Sequence, residues 1–442
     1  MRTPAKTLTL VHPLSVRESG VTPWLTWAKK GGWAVLDQGL FAGANFLINV
    51  VLARWLSPAD YGAFAIAFSL FLLLATFHTA LLVEPMLVFA AKKYAEQFQA
   101  YLAILIAGHM GLTAGVSLLL GLLAYGFQEF GFFPLAQAFF GLALAAPAIL
   151  LLWLFRRVFY VRMQPQWSAI GGFLYLVFTL LGMYGLYSIH GISSSSALLV
   201  MGSVSVLVSL WFAVLLHPIW PSARERLAPA TVFCDHWAYG KWATAATVLQ
   251  WLPSNLYYAA LPLWGGLEGS AILRAVMNVL MPILHTQTAI SMLFLPTFVH
   301  TFKTAGDAGL RRSVQRALVL FVGGAVVYWG VLALFHSSLL LWLYGPHYQT
   351  YGILLVLAGM LPLWTGIDAV LSTAVRATER PAQVFWAQAV SSVVAVTLGL
   401  WLVARADTFG AIVGLCASTS ATVLVLTYWY THQVRKSTES IQ

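Results

Sequence analysis

DQGLFAGANFLINVVLARWLSPADYGAFAIAFSLFLLLATFHTALLVEPMLVF, residues 37–89, consists of two apolar segments on either side of the short hinge LSPADYG. Each segment contains about 20 residues, enough for a helix that rises 1.5 Å per residue to cross a hydrocarbon core of about 30 Å. This stretch therefore predicts a pair of transmembrane helices.

The first of these segments carries a polar face. Gln38, Asn45 and Asn49 are separated by seven and four residues, spacings that return to nearly the same angle around a helix. A face with three amides is costly against lipid. We therefore predict that it looks into protein or into a wet substrate cavity.

The composition of the chain is that of a membrane protein. Of its 442 residues, 60% are hydrophobic and 9% are charged, and the mean hydropathy is +0.81. A soluble domain of this size does not have such a composition. The two cysteines, Cys234 and Cys416, are too few for a disulfide framework and lie in no metal-ligand pattern, so we interpret both as inert thiols.

Apolar segments of span length recur along the chain and predict an all-α polytopic membrane protein with about 12 transmembrane helices. The second span is expected to end at Glu84-Pro85, since proline interrupts the helical hydrogen bonds. The predicted spans are 33–53, 61–83, 100–123, 135–155, 168–188, 197–216, 242–263, 271–298, 317–336, 351–372, 383–403 and 410–430. The predicted divisions are a basic cytoplasmic tail at 1–30, a six-helix lobe at 31–217, a cytoplasmic connector at 218–240, a second six-helix lobe at 241–431 and a cytoplasmic tail at 432–442.

The basic residues predict the orientation. All but three of the 24 Lys and Arg residues fall in the tails and in alternate loops, and the exceptions are Arg54, Arg274 and Arg405. By the positive-inside rule both termini are cytoplasmic. A cysteine at Ser194 should then be labelled from outside and one at Ser222 should not. Because the basic residues are scattered, the net charge of +10 does not indicate a nucleic-acid partner.

The two halves contain similar stretches. Trp55 to Phe68 (WLSPADYGAFAIAF) and Trp264 to Val276 (WGGLEGSAILRAV) each place a tryptophan, small residues, an acid and a glycine before a span. With six predicted spans in each half, this favours two pseudo-symmetric lobes related about an axis along the membrane normal. Two such lobes leave a central cavity between them.

Several of these residues also carry a resemblance to a known family. They are Asp37-Gln38-Gly39, the pair Asn45-Phe46, the connector from Ala53 to Gly62, the segment from Leu343 to Tyr348, and the segment from Gly410 to Gly414. In them the chain resembles the polysaccharide transporters of the multidrug/oligosaccharidyl-lipid/polysaccharide (MOP) superfamily, to which bacterial lipid-linked oligosaccharide flippases belong. The resemblance covers most of residues 31–430.

The resemblance implies a flippase of the bacterial inner membrane that moves a polyprenyl-pyrophosphate-linked oligosaccharide by alternating access, for exopolysaccharide or O-antigen biosynthesis. Membrane lipids and other polysaccharide-assembly proteins are the implied partners. No cofactor is expected, and a proton or sodium gradient is the candidate for energy coupling. The runner-up is a cation-coupled multidrug exporter of the same superfamily. A polar, basic cavity would favour the flippase, and an acid-and-aromatic cavity would favour the exporter. A membrane glycan polymerase or ligase and a non-transporting assembly subunit are further alternatives.

The chain lacks the usual signatures of an enzyme. It contains no GxxxxGK[ST], HExxH, GxSxG or CxxC motif. The predicted connectors between spans are short and leave no domain to hold a sugar donor. His78 and His109 are expected to be buried packing residues. We therefore predict a transporter rather than an enzyme.

The eighth predicted span carries a polar stripe. Arg274, Asn278, Met281, His285 and Thr288 fall within about 80° around the helix. Such a face should line the cavity, where an arginine suits a pyrophosphate or an acidic sugar because it can donate two hydrogen bonds. Flippases of the resembled superfamily use cationic cavity residues for such head groups. The alternative is that Arg274 reaches the outer lipid headgroups while the others contact neighbouring helices.

The seventh predicted span has hydroxyl and aromatic groups on one face, formed by Thr247, Trp251, Ser254 and Tyr258. Aromatic rings stack on the apolar CH face of a sugar while hydroxyls bond to its OH groups, so this face is a candidate for the substrate cavity. The alternative is ordinary packing together with an outer belt of aromatic residues.

Acidic residues in or near the spans are candidates for a gate or an ion-coupling site: Asp37, Glu84 and Asp368. A deeply placed carboxyl resists ionisation and can carry a proton. The alternative is a gate or cap that pairs with Lys29, Lys30 or Arg376. At the outer connector, Arg54 and Asp60 form either an outer gate or a surface pair.

Overall fold

The structure, a computed structural model, describes residues 23–90, 92–216, 227–378 and 380–439. Every regular element in these residues is helical, as the sequence predicts. The α-helices are α1 (Pro23–Trp55), α2 (Pro58–His78), α3 (Glu84–Phe89), α4 (Phe98–Glu129), α5 (Phe133–Val161), α6 (Pro165–Ser188), α7 (Ser194–Leu215), α8 (Pro229–Ala260), α9 (Gly266–Tyr344), α10 (Pro346–Gln349), α11 (Gly352–Ala358), α12 (Leu361–Ala377), α13 (Pro381–Val394) and α14 (Leu400–Glu439).

The second predicted span continues beyond its expected end. α2 runs into a π-helical segment, Thr79–Val83, which is followed directly by α3. The backbone N–H of Glu84 donates to the carbonyl of Thr79, five residues earlier. Pro85 then lies in the first turn of α3, where its missing N–H is tolerated. The prediction that Glu84-Pro85 ends the span is therefore wrong.

Two predicted loops contain helix in the part of the chain that the structure describes. α8 begins at Pro229, inside the predicted connector 218–240, and α9 continues through 302–316 with one break at Gly306, whose φ is 59°. The charged residues here indicate where the hydrocarbon core ends. A helix satisfies its own backbone groups and can continue past that level into a polar environment.

Nine helical segments of the described residues are long and apolar enough to cross a membrane. Two of them, Gly266–Tyr344 with 79 residues and Ala382–His432 with 51, are longer than one span requires. Each contains a backbone break, at Gly306 and at Ala406-Asp407 respectively. α8 is not one of the nine. The number of twelve spans stays a prediction.

The residues chosen from the sequence as topology probes are not suitable. Ser194 is completely buried at the start of α7, so a cysteine there would be a poor target for a reagent in water. Ser222 lies outside the described residues. Of the predicted tail 1–30, residues 23–30 form the start of α1, and the remainder is outside the described part of the chain.

The helices pack as two lobes. In the first lobe, α5 contacts α4, α6 and α7, and α1 packs along α6. In the second lobe, α12 contacts α9 and α14, and α13 packs against α14. The lobes meet along a surface that we call the lobe seam, formed by α1 and α2 on one side and by α8 and α9 on the other.

The two lobes share a core at one end of the molecule only. We call this the connector end, because the α1–α2 turn lies there, and we call the end with the α3–α4 loop the opposite end. A large apolar cluster toward the connector end contains residues of both lobes. Toward the opposite end each lobe has its own smaller cluster, which in the first lobe also includes Val232 of α8. The lobes are therefore closed against each other at the connector end.

The closest approach across the seam is between α2 and α9. A Cβ atom on Gly62 would lie 1.9 Å from the carbonyl oxygen of Leu267. Both residues belong to the two similar stretches of the sequence, so these stretches meet at the seam. Residues 271–280 of α9 are all buried, whereas Gln287 is the only buried residue in 281–297. The packing around α9 thus loosens after its first turns.

Candidate functional site

A buried arginine lies at the closed part of the seam. The Nε of Arg274 donates to Oδ1 of Asn49 at 2.8 Å, and the hydroxyl of Tyr61 donates to the same oxygen at 3.2 Å. The guanidinium carbon is 4.9 Å from the ring centre of Phe68 and 5.9 Å from that of Tyr258. These distances permit cation–π attraction. Arg274 is 7% exposed, and no ion pair among the described residues includes it.

Asn278, one helical turn after Arg274 on α9, is also hydrogen-bonded at the seam. Its Nδ2 donates to the carbonyl of Phe46 at 3.2 Å and to the hydroxyl of Tyr344 at 3.0 Å. The Tyr344 hydroxyl donates to the carbonyl of Ala275 at 3.1 Å. We define the Arg274 cluster as Phe46, Asn49, Tyr61, Phe68, Tyr258, Arg274, Asn278 and Tyr344. It joins both lobes through polar groups inside an otherwise apolar core.

A cavity of about 320 Å³ lies next to this cluster, between α2, α5 and α8. The indole Nε1 of Trp251 donates across the seam to the carbonyl of Ser69 at 3.0 Å. The lining residues are Leu72, Ala75, Thr76, Thr79, Glu84, Trp153, Thr247, Gln250, Trp251, Ser254 and Asn255. The cavity therefore combines hydroxyls, amides, two indole rings and one carboxyl.

The order of residues along α2 shows how the cavity is closed. Tyr61 to Phe68, nearest the connector end, pack in and around the Arg274 cluster; Ser69 receives the Trp251 hydrogen bond; and the cavity begins at Leu72. The Arg274 cluster thus separates the cavity from the connector end.

The residues predicted to line the cavity are divided between these two sites. Thr247, Trp251 and Ser254 line the cavity, whereas Tyr258, on the same face of α8, is buried under Arg274. The eighth-span stripe is divided too. Arg274 and Asn278 lie in the closed seam, while His285 is exposed beyond it. The lobes touch along one part of these helices and stand apart along the other. One face of a helix is therefore buried in the closed seam at one level and exposed or lining the cavity at another.

The amides of α1 are divided in the same way. Asn49 is buried in the Arg274 cluster and its Nδ2 donates to the carbonyl of Asn45 at 2.8 Å. Asn45 is half-buried and Gln38 is exposed. Among the three, Asn49 alone is in the defined cluster.

Asp37 is paired inside the first lobe. Oδ1 accepts from Nη2 of Arg156 at 2.7 Å, and Oδ2 accepts from the Tyr160 hydroxyl at 2.7 Å. The guanidinium carbon of Arg156 lies 4.6 Å from the ring centre of Phe41. Asp37 is 1% exposed, so this carboxyl ties α1 to α5 within one lobe. Asp37 is therefore paired, as in the alternative, and Arg156 of α5, a residue that the sequence analysis did not name, supplies a cation.

The other acidic candidates occupy three different environments. Glu84 lines the cavity. Oδ1 of Asp368, on α12, accepts from Ser372 at 2.8 Å, inside the second lobe. Asp60 caps α2 together with Ser57, and Arg54 is exposed, so the described ion pairs contain no Arg54–Asp60 gate.

His78 and His109 are buried, as predicted, but they also bond to each other. Nε2 of His78 and Nδ1 of His109 are 3.0 Å apart. The rings pack edge to face. Nothing in the sequence indicates this pair, because the two residues are brought together only by the packing of α2 against α4.

The start of α8 is clamped to the first lobe. Asp235 accepts hydrogen bonds from Lys93 and Tyr94 of the α3–α4 loop. Nδ1 of His236 is 2.8 Å from the carbonyl of Leu81, and its Nε2 is 2.7 Å from the hydroxyl of Tyr101. The hydrogen bonds from Lys93 and Tyr94 hold the pKa of Asp235 below its usual value. Sequence reasoning assigned these residues to a connector and so missed the clamp.

Comparisons with known proteins support the fold. Neither a protein-family model nor a curated protein matches the sequence. The structure is similar to an inward-facing multidrug resistance MATE family transporter of the MOP superfamily, with a TM-score of 0.77 and 11% identity over 92% of this chain and 99% of that one. It is also similar to the lipid II flippase MurJ in an inward closed conformation, with a TM-score of 0.72 and 13% identity over 90% of this chain and 87% of that one.

A MOP superfamily transporter from Pyrococcus furiosus is similar as well, with a TM-score of 0.64 and 12% identity over 93% of this chain and 95% of that one. At these identities the likeness concerns the fold. The predicted class, an all-α polytopic membrane protein, is confirmed, and its fold is that of MOP superfamily transporters. The narrower resemblance to polysaccharide transporters stays a prediction.

Proposed function

We propose that this chain is a flippase that moves the head of a lipid-linked oligosaccharide through the lobe seam by alternating access. The observation that carries the proposal is Arg274, a buried cation without a carboxylate partner among the described ion pairs, next to a polar cavity. A pyrophosphate supplies the charge that this guanidinium lacks and accepts two hydrogen bonds from it. The shared fold with the lipid II flippase supports a lipid-linked substrate.

The cavity supports a sugar as the group next to the phosphates. Trp153 and Trp251 offer indole rings, and Thr76, Thr247 and Ser254 offer hydroxyls. Rings stack on the CH face of a sugar while hydroxyls and amides pair with its OH groups. The polyprenyl tail would stay in lipid alongside the gap between the lobes.

The structure suggests how binding would be coupled to opening. The Nε of Arg274 belongs to the second lobe and its acceptor Asn49 to the first. A phosphate that replaces the Asn49 oxygen removes one of the hydrogen bonds that close the connector end. Substrate binding would then favour the conformation in which the lobes separate there, because a ligand stabilises the state that it binds better.

The proposal also specifies the membrane, the orientation of the chain and the source of energy. The chain would act in the bacterial inner membrane with both termini in the cytoplasm, so that the opposite end faces the cytoplasm. It would carry out translocation without making or breaking a covalent bond. Glu84 in the cavity and Asp368 in the second lobe are the candidate sites for a coupled proton or sodium ion.

A cation-coupled multidrug exporter is the second candidate, and one observation favours it. Glu84 shares the cavity with Trp153 and Trp251. A carboxyl between aromatic rings suits an organic cation. The fold similarity to MATE family transporters fits this candidate equally well.

Deletion of the gene in its native host separates the candidates. A flippase deletion accumulates the complete lipid-linked oligosaccharide on the cytoplasmic face and loses the surface polysaccharide. Normal polysaccharide together with raised sensitivity to cationic drugs identifies the exporter. Translocated but unpolymerised units contradict both and indicate a polymerase. Complementation with Arg405→Ala, which removes an exposed arginine, should restore the wild-type phenotype.

A further inference from the structure

The first lobe has a groove on its outer surface, between α4, α5 and α7. Its volume is about 430 Å³. Val206 and Leu210 at its edge are 45% and 59% exposed, so it opens sideways, away from the seam helices. The lining residues are Ala103, Ile106, Ala107, Leu151, Phe155, Val206, Ser209, Leu210 and Ala213.

The groove has a defined depth. Ala213 is two residues and Val206 nine residues before the end of α7 at Leu215. At 1.5 Å per residue, the groove extends from about 3 Å to about 14 Å below the helix end. Since the hydrocarbon core of a bilayer is about 30 Å thick, this depth lies within one leaflet.

A cation lies beyond the lining residues, where the three groove helices end or begin. Arg162 follows α5 directly, and its Nη2 is 3.5 Å from the carbonyl of Leu216, the residue after α7. Its guanidinium carbon is 5.6 Å from the ring centre of Phe98, the first residue of α4. Arg162 thus contacts the ends of all three groove helices. It forms none of the ion pairs found in the described part of the chain.

A hydroxyl without a partner lies deeper in the groove. Ser209 is 3% exposed, and its Oγ has no hydrogen-bond partner among the described residues. Ser205, one turn away on the same helix, instead donates to the carbonyl of Met201 at 2.7 Å. A buried hydroxyl without a partner is unfavourable, so Ser209 is placed to bond a polar atom that enters the groove.

We propose that this groove binds a membrane phospholipid with an anionic head group. The phosphate would lie on Arg162, an ester or glycerol oxygen would bond to Ser209, and an acyl chain would fill the apolar part formed by α4, α5 and α7. Arg162 follows the end of α5, Ser209 is six residues before the end of α7, and apolar residues such as Val206 lie deeper still, an order that matches phosphate, ester and acyl chain. A second protein helix would match the apolar wall, but it would need a carboxylate at the level of Arg162 and a polar atom at the level of Ser209, both of which every anionic phospholipid carries.

The occupant must come from the leaflet at the opposite end, where the ends of α5 and α7 lie. The positive-inside prediction makes this the cytoplasmic leaflet, whose anionic lipids attract basic residues. A bound lipid would hold α4, α5 and α7 together and stabilise the first lobe, because a ligand that binds only the folded state raises stability. The site is separate from the Arg274 cluster and does not depend on what the seam transports.

Native mass spectrometry of the full chain in detergent tests the proposal, with phosphatidylglycerol as the anionic probe and phosphatidylethanolamine of the same chains as the zwitterionic probe. We expect the wild-type chain to retain phosphatidylglycerol and to melt at a higher temperature when it is added. Arg162→Gln should weaken this binding about fivefold, the effect of about one basic residue at a membrane surface. Arg162→Lys should keep most of it.

Ala107→Trp is an independent variant, because Ala107 is exposed in the groove and a larger side chain there fills space without entering a core. It should reduce the retention of both lipids. Arg405→Gln is the matched control and should bind as the wild-type chain does. Equal retention of the two lipids by the wild-type chain, or unchanged phosphatidylglycerol binding in Arg162→Gln and Ala107→Trp, would overturn the proposal.

Discussion

Arg274 shows how a charge is tolerated inside this membrane protein. Burial of an arginine without a counter-ion is costly. Here the side-chain amide oxygen of Asn49 and the ring faces of Phe68 and Tyr258 provide partial negative charge. None of these groups neutralises the guanidinium, so the site keeps its attraction for an anion.

Replacement of this side chain tests its role in transport. Arg274→Ala should insert and fold but lose most transport of the lipid-linked oligosaccharide, since the phosphate loses its cation. Arg405→Ala removes an exposed arginine and should leave transport unchanged. Flux in proteoliposomes is the measurement, and normal flux in Arg274→Ala would exclude this residue from the site.

The Asp37–Arg156 pair should be structural. Asp37→Asn leaves the buried Arg156 without its carboxylate and should destabilise the chain by about 3–5 kcal/mol, seen as a lower melting temperature. The double variant Asp37→Asn/Arg156→Gln removes both charges and should recover much of the loss. A double variant that is stable but cannot couple transport to an ion gradient would show instead that Asp37 carries the ion.

The clamp at Asp235 should weaken in acid. The lowered pKa of this carboxyl means that its pairing stabilises the folded chain above the ordinary aspartate pKa of about 4 and that this contribution is lost as the pH falls through the lowered value. At pH 7, Asp235→Asn should cost at most about 1 kcal/mol, because the side chain of Lys93 is half exposed. Melting curves should differ between the two proteins at pH 7 and converge below pH 4. A constant difference across this range would show that Asp235 acts by packing.

At the scale of elements, the crossing of α2 and α9 decides whether the seam can close. Gly62 permits the backbone of α2 to touch that of α9, and no flexible side chain lies between them. Since the atom that a Cβ would meet is a backbone oxygen, local adjustment cannot relieve the clash.

Gly62→Ala should therefore keep the lobes apart at the connector end while each lobe stays folded. Spin labels on cysteines at Ala59 and Leu263, both exposed near this end, report the separation when Cys234 and Cys416 are replaced by serine. We expect a longer distance in Gly62→Ala. In the control Gly43→Ala, where a Cβ meets nothing within 4 Å, the distance should be unchanged, and the same result for Gly62→Ala would contradict the role of this contact.

The π-helical segment Thr79–Val83 is the second element with a consequence for the site. A π turn contains one more residue than an α turn and so rotates everything after it. Glu84 follows the segment directly and lines the cavity. The same sequence without the wider turn would direct this carboxyl to another side of the helix.

At the scale of the whole molecule, the two lobes share an apolar core at the connector end. At the opposite end each lobe has its own core, and the start of α8 is clamped to the first lobe. If the connector end is the outer end, as the basic residues predict, the cavity in this conformation belongs to the cytoplasmic side.

Labelling of single cysteines tests this orientation. Ser188 at the end of α6 and Ala95 in the α3–α4 loop are exposed at opposite ends of the first lobe and replace the probes chosen from sequence. In a chain without Cys234 and Cys416, Ser188→Cys should react with an impermeant reagent in intact cells. Ala95→Cys should react only after the membrane is opened. The inverse result would reverse the predicted topology.

Part of the cavity lining could be predicted from the sequence. Thr247, Trp251 and Ser254 share a face because helical periodicity is local, and that face lines the cavity. The polarity of Arg274, Asn278 and Asn49 likewise favoured a position facing protein or a cavity over one facing the lipid hydrocarbon. Whether such a face lines a cavity or is buried in a closed seam depends on where the two lobes touch. The periodicity of the sequence carries no information about that position.

By itself the sequence determined that this chain is an all-α membrane protein, because its hydropathy, span lengths and local periodicity are properties of neighbouring residues. Only the tertiary structure decided that Asp37 pairs with Arg156, that His78 bonds to His109, and that α8 is clamped to the first lobe. These partners lie 31 to 142 residues apart in the chain. Their contacts are set by the packing of whole helices, so no local pattern specifies them.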